Sequence, residues 1–402
     1  MRSLLTIGST YCDIFNYEYD LSFFHPRKDQ CDECTTMKNA SEEDKKNLES
    51  SFEEHIRNKE RARELKAADA LAGKDKKNKE LCVSAFDYQK ILTCPKGEAS
   101  CLYYKRKFQV SNFTVYDIGR HEGHCYLYDE TIARKGGKEV GSLLADNIEK
   151  KVEKGVKEFV FYSDNCQAQN KNRFVLAALL KIAAKLKVRI IHRFLEKSHT
   201  QNEGDSVHAR IERFTRNGEI FLPAEWYEKI RQAKRSKIDP YRTYEVSQEA
   251  FLDFEELANK LNFLKEVTGE PFKVSQVRET KFDGDKPGVL QFKYSFDEEY
   301  RTLSTKKQSH PVNLVTYELR PTYSGPLGCP KERIADLKEL CAKQIIPRKY
   351  HDFYNSLVPE ISPENNDAAD PGAAAVQNRG RKRKAPDAAP PASTPARRRR
   401  TK

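Results

Sequence analysis

The chain has 402 residues, of which 38% are hydrophobic and 33% charged, and a formal net charge of +12. That length supplies a core for one large domain or two ordinary ones, while no apolar run approaches the roughly 20 residues that cross a bilayer. The apolar opening after Met1 is too short for a signal-peptide core, and ten cysteines scattered over such a chain do not make a disulfide scaffold, so an intracellular protein with no membrane partner is expected.

Residues 1–40 mix aromatics with Cys31-x-x-Cys34, the one cysteine pair at metal-ligand spacing. Two thiolates so spaced suit a structural Zn²⁺. Two more ligands are needed, and His55, Cys12 and His25 are the nearest donors along the chain; two reduced, buried thiols are the alternative. Residues 41–79 are dense in charge, with no Pro and one Gly. They read as a helix from 41 to about 71, with a thin apolar stripe of Leu48, Phe52, His55 and Ile56.

Residues 80–215 carry the clearest pattern. Strands are predicted over residues 81–92, centred on 82–87, and over 107–118 and 123–132, the last two joined as a hairpin. A helix follows over 138–154, with Val140, Leu143, Leu144, Ile148 and Val152 on one face. In the run Glu158-Phe159-Val160-Phe161-Tyr162 the four residues after Glu158 are continuously apolar, as in a strand buried on both sides. An Ala-rich helix over 174–186, a strand over 188–195 and a helix over 205–214 complete a mixed α/β order with parallel crossovers.

Residues 216–358 read as an α+β region, with helices near 248–265 and 331–342 and strands near 289–294 and 312–320. Residues 331–342 and 348–357, separated by Pro347, look like a helix-turn-helix pair, which is either a packing unit or a DNA reader. Residues 359–402 read as a disordered basic tail. From Ile361 onward it holds ten Lys/Arg against four Asp/Glu. The blocks Arg381-Lys382-Arg383-Lys384 and Arg397-Arg398-Arg399-Arg400 suit an importin or a polyanion. A nuclear location is expected, with DNA as the main partner and a second copy of the chain as a further candidate.

The chemistry concentrates where strands end, since polar residues at strand carboxyl ends face the crevice of an α/β sheet. Asp164, after the apolar strand, opens the polar run Asp164-Asn165-Cys166-Gln167-Ala168-Gln169-Asn170; capping of the next helix is its competing role. Asp87 sits inside the first strand, where a lone carboxylate is unfavourable. Asp205 opens the last helix of this region, as a cap or an active-site acid, 41 residues after Asp164. Three such carboxylates suit two Mg²⁺ (or Mn²⁺) ions in phosphodiester chemistry. Asp129, also at a strand end, competes with Asp87 for the first position, and Glu203 and Glu212 compete for the third. His199 and His208 flank Asp205 and either contact a phosphate, move a proton, or pack within the fold. Asn165, Gln169 and Asn170 either contact substrate or order their loop.

This order of strand-Asp, hairpin, helix, strand-Asp-Asn, helix, strand and helix-acid resembles the ribonuclease-H-like core of DDE/DDD transposases and retroviral integrases. The segments running from Phe161 to Arg173 and from Glu196 to His208, with Cys125-Tyr126-Leu127-Tyr128-Asp129-Glu130-Thr131 and His25-Pro26-Arg27-Lys28-Asp29-Gln30-Cys31-Asp32-Glu33-Cys34, look like a transposon-derived family of animal genomes, over about residues 12 to 357. The resemblance implies a Mg²⁺-dependent DNA endonuclease or strand-transferase with Asp87, Asp164 and Asp205 as metal-binding acids. Members of that family often carry a longer amino-terminal region. The alternative is therefore a truncated or domesticated copy, a catalytically inactive nuclear DNA-binding or interaction protein.

Overall fold

Alternation along Leu81–Tyr88 (β1) sends Cys82 and Phe86 to one side and Val83 and Ala85 to the other, all four buried, so this strand must be covered on both faces. A computed structural model describes residues 30–197, 199, 202–234, 240–307 and 311–360. In it β1 is central. Its antiparallel neighbour is Phe108–Asp117 (β3), which pairs with Glu122–Asp129 (β4) through the expected hairpin. Its parallel neighbour is Glu158–Ser163 (β5), followed by Arg189–Phe194 (β6), also parallel. The short Leu92–Cys94 (β2) pairs with the start of β3.

The sheet does not stop there. Arg242–Glu245 (β7) adds to β4, while Glu279–Asp283 (β8), Val289–Lys293 (β9) and Arg301–Ser304 (β10) extend it beyond β6. The order is β10-β9-β8-β6-β5-β1-β3-β4-β7, with β2 beside β3. The predicted boundary at residue 215 therefore falls within one mixed ten-stranded sheet, because both of the inner region's edges are completed by later strands.

One face is covered by Gly137–Val152, Arg173–Leu186 and Phe254–Lys260. Apolar residues of these helices, such as Leu144, Ile148, Leu179 and Leu257, pack on Phe86, Phe113, Phe159 and Phe161. On the other face lie two smaller cores. Val83, Ala85, Val160 and Tyr162 meet Ala62 of the long helix Glu42–Lys74. Val110 and Leu127 meet Val207 and Ile211 of Glu203–Thr215, together with Pro223–Gln232, Lys331–Ala342 and His351–Asn355. In chain order the helices are α1 (Asp32–Asn39), α2 (Glu42–Lys74), α3 (Cys101–Tyr104), α4 (Gly137–Val152), α5 (Arg173–Leu186), α6 (Glu203–Thr215), α7 (Pro223–Gln232), α8 (Phe254–Lys260), α9 (Lys331–Ala342) and α10 (His351–Asn355).

Several expectations change. The helix expected over 248–265 is a 3₁₀ turn, Gln248–Ala250, followed by the shorter α8, because Asp253 accepts from the backbone N–H groups of Glu255 and Glu256 and starts a new helix there. Residues 312–320 form no strand: turns interrupt them, and Leu314 plugs the main core instead. The α9–α10 pair buries Ile334, Leu337, Leu340 and Tyr354 against the sheet, and Asp336 of α9 holds Lys105 and Arg106; it is a packing unit. Cys12, His25 and the basic blocks Arg381–Lys384 and Arg397–Arg400 lie outside the described residues. No described helix is long and apolar enough to cross a membrane.

Candidate active site and metal centre

Parallel pairing places Ala85 beside Tyr162, and two residues further on the same register brings Asp87 beside Asp164. Both lie on the face that α2 covers, since side chains on a strand alternate and Val83, Ala85, Val160 and Tyr162 all face that way. Asp205 arrives from the first turn of α6. Burial, then the charges of Asp164 and Asp205, push the Asp87 carboxyl up to about 7. Asp205 is raised by desolvation, with Glu203 and Asp164 adding to it. Like charges in proximity disfavour one another's ionised form, so the three carboxylates share one electrostatic environment. Two cations oppose the rise, Lys66 of α2 lowering Asp205 and Lys135 lowering Asp87.

Neither expected cap is one. Asn172 caps α5, its side-chain oxygen accepting from the N–H groups of Phe174 and Val175. Its amide nitrogen donates to the carbonyls of Gln167, Ala168 and Gln169. Asp164 Oδ1 instead accepts from the Cys166 N–H at 3.1 Å and from the Asn170 amide. Asn170 therefore orders the loop. Asn165 and Gln169 are half-buried on the same loop. Asn202, not Asp205, caps α6, accepting from the Gly204 N–H at 3.0 Å, and this leaves Asp205 exposed at the crevice.

Asp129 is two strands away from β1. Its Oδ1 accepts from the Thr131 N–H at 2.9 Å and from the Thr131 hydroxyl, so it builds the turn after β4. Of the weaker candidates, Glu203 pairs with Lys66 of α2 at 2.7 Å, and Glu212, two turns further along α6, is not among the charges that shift Asp87 or Asp205. His208 is a packed histidine. Its Nε2 lies 3.0 Å from Thr114 Oγ1, the residue opposite Asp87 in β3, and burial holds it down to about 4.

Lys135, after β4, has no place in the sequence-derived set of site residues. It lies 4.4 Å above the Tyr88 ring, is lowered by burial, and lowers the Asp87 carboxyl in return. A basic Arg134-Lys135-Gly136-Gly137 run between a strand end and a helix start was its only signal.

A second constellation lies at the amino-terminal edge. Cys31 and Cys34 flank the start of α1, His55 comes from α2 and His199 from the segment between β6 and α6. Their four donor atoms lie within 4.8 Å of one another. His55 Nε2 is 3.4 Å from Cys31 Sγ, 3.5 Å from Cys34 Sγ and 3.2 Å from His199 Nε2, which is 3.3 Å from Cys34 Sγ. The far nitrogen of the His55 ring, Nδ1, faces Glu33 Oε2 at 3.2 Å and Glu196 Oε1 at 3.6 Å. His199 thus joins the cysteines rather than the acids. Among the described residues this is the group of His, Cys, Asp or Glu side chains whose ligand atoms lie close enough together to hold one ion; the three aspartates do not form such a group.

A family described as a domain of unknown function (DUF8701) matches residues 138–281, a span from α4 through β8 that contains Asp164, His199 and Asp205 but not Asp87. No curated protein and no solved structure matches the chain.

Proposed function

We propose that the chain is a transposase-derived nuclear protein whose core is of the ribonuclease-H-like type, and that Asp87, Asp164 and Asp205 cleave or transfer DNA phosphodiesters with Mg²⁺ or Mn²⁺. The observation that carries this reading is that β1, the end of β5 and α6 bring Asp87, Asp164 and Asp205 near enough for the charges of Asp164 and Asp205 to push the Asp87 carboxyl up. The order β4-β3-β1-β5-β6, antiparallel through the hairpin and parallel beyond it, supports the same reading.

The donors suit hard divalent cations. All three are carboxylates, and Asp87, raised to about 7 beside two further acids, is a group that gains from added positive charge. Such ions, when bound, supply the charge that activates a water or 3′-hydroxyl and offsets the leaving oxygen. The chain's own part is positional. The Cys166 N–H and the Asn170 amide fix Asp164, Asn202 sets the start of α6 and so the height of Asp205, and Lys135 favours the ionised form of Asp87.

The test is nicking of supercoiled DNA with Mg²⁺ or Mn²⁺. Asp87→Asn, Asp164→Asn and Asp205→Asn should each lose at least about 100-fold, the rate equivalent of losing several kcal/mol of charge stabilisation. Asp129→Asn should retain activity. Activity surviving Asp164→Asn removes the enzyme reading. A DNA-binding protein that does not cut is the second reading, favoured by the exposure of Asp205; it predicts native-level DNA binding in all four variants and no nicking in the native chain.

A further inference from the structure

We infer that Cys31, Cys34, His55 and His199 form a Cys₂His₂ zinc centre that fastens the amino-terminal helices to the segment leading into α6. Zn–S bonds of about 2.3 Å and Zn–N bonds of about 2.0–2.1 Å in a tetrahedron require donor-to-donor edges of roughly 3.3–3.8 Å. Four of the six edges run from 3.2 to 3.5 Å, and all six lie within 4.8 Å. Two imidazole nitrogens turned toward each other at 3.2 Å, with two thiols beside them, are aimed at a common centre. The set is two sulfurs and two nitrogens with no oxygen, a closed structural combination rather than a catalytic one.

The surroundings fit as well. A metal-bound histidine ordinarily directs its other ring nitrogen at a carboxylate, which fixes the ring and raises its basicity. The free ring nitrogen of His55 lies 3.2 Å from Glu33 and 3.6 Å from Glu196, within reach of such a bond though not aligned for one, and Glu196 is itself held by Arg278 at 2.5 Å. Two thiolates balance the ion's charge, so the centre can sit against the body without a net charge to bury.

Its reach is what matters. His199 is separated from Cys34 by 165 residues and from His55 by 144, and it lies three positions before the Asn202 cap and six before Asp205. Lys66 of α2 pairs with Glu203 in the same first turn of α6. A zinc ion here fixes where α6 begins. The centre itself stands independently of the proposed catalysis; only its effect on Asp205 rests on that reading.

The experiment is zinc analysis of the purified full-length chain, followed by removal and return of zinc. The native chain should carry about one zinc ion per molecule, and zinc should protect Cys31 and Cys34 from alkylation. In competition with a chelator, Cys34→Ser and His199→Ala should bind at least about 100-fold more weakly, since loss of an outer-shell partner alone costs about 10–100-fold. His199→Cys, which keeps a ligand, should restore binding. Alkylation of Cys31 and Cys34 at the same rate with and without zinc overturns the centre, a result that needs no variant to fold. His199→Ala binding zinc as tightly as native overturns the fastening, as does amide exchange at residues 202–208 that is unchanged on zinc removal. DNA nicking enters none of these readouts, so loss of the enzyme reading would leave the zinc result standing.

Discussion

Single residues on the two faces of β5 and β6 are held in contrasting ways. His192 is fully buried, with Nε2 2.9 Å from Ser163 Oγ and its ring against Phe86 and Phe194. Burial, with Lys171 adding to it, holds the imidazole down to about 3 against 6.5 for the free group. Between those values the unfolded chain binds a proton that the folded chain refuses, so stability rises with pH in that window and is lost as pH falls below about 6.5. His208, held down to about 4, adds in the same direction. Urea titrations from pH 7 to pH 4 should show this loss, and His192→Phe, which keeps the aromatic contacts, should give a shallower slope. An equal slope in the variant would assign the acid sensitivity elsewhere. Asp164 stood out because it ends a strand with four successive apolar residues, Phe159 to Tyr162, and Asp87 because it interrupts an apolar strand, both local signals. His199 was read beside Asp205 because sequence proximity was the only guide. Its partners lie 144 and 165 residues away, and no spacing rule links a lone histidine to a cysteine pair over that distance.

Among elements, the loop between β5 and α5 depends on one side chain. Asn172 caps α5 through its oxygen and gathers three loop carbonyls through its nitrogen. The amino end of α4 presses close to it: a Cβ on Gly137 would lie 2.3 Å from Asn172 Oδ1. Asn172→Ala should cost about 1–2 kcal/mol, the usual range for a lost cap, measured by urea unfolding, and should loosen the Asp164 loop. A cost near zero would mean that the cap is redundant. The main elements of the inner region were readable because strands buried on both faces and helices buried on one have strong apolar periods, although the first strand ends four residues and the third three residues sooner than expected, and the short β2 and α3 were not read. β7, β8 and β10 were not. They are four or five residues long and keep polar side chains such as Arg242, Lys281 and Arg301, so their pairing partners, rather than their own sequences, make them strands. The stripe read on α2 is only the first part of its inward side, with His55 buried and Leu48, Phe52 and Ile56 half-buried. The helix docks further along, through Ala62, Lys66 and Asp69, with Asp69 accepting from the Tyr162 hydroxyl and pairing with Arg193, and such polar docking leaves no apolar period to read.

At the scale of the molecule, the ten-stranded sheet makes the region around the acids dependent on the strands contributed by residues 242–304. A chain cut after residue 215 would leave β6 without β8 and β4 without β7, two long unpaired edges of the kind that aggregate. It should be insoluble, whereas residues 30–360 should purify as a soluble, cooperatively unfolding protein. A soluble, folded product of the shorter length would disprove this dependence. The intact sheet ends instead on β7 and β10, each four residues long, and short edges are poor templates for further pairing. The basic tail gives a separate prediction. Removing residues 379–402 should shift a tagged chain from nucleus to cytoplasm, read by microscopy, and undiminished import would reject the two Arg/Lys blocks as the signal.

Arg193 of β6 ties to Asp69, 124 residues earlier, and to Glu279, 86 residues later. A strand whose partners are so far apart in the chain cannot be finished locally. During synthesis the first strands and the hairpin can form as they emerge, but β6 stays half covered until β8 has left the ribosome. Contacts of such long separation slow folding and prolong exposure of the unfinished edge. A premature stop anywhere between β6 and β8 would therefore release a chain with an open sheet, a substrate for chaperones and proteases rather than a smaller folded protein.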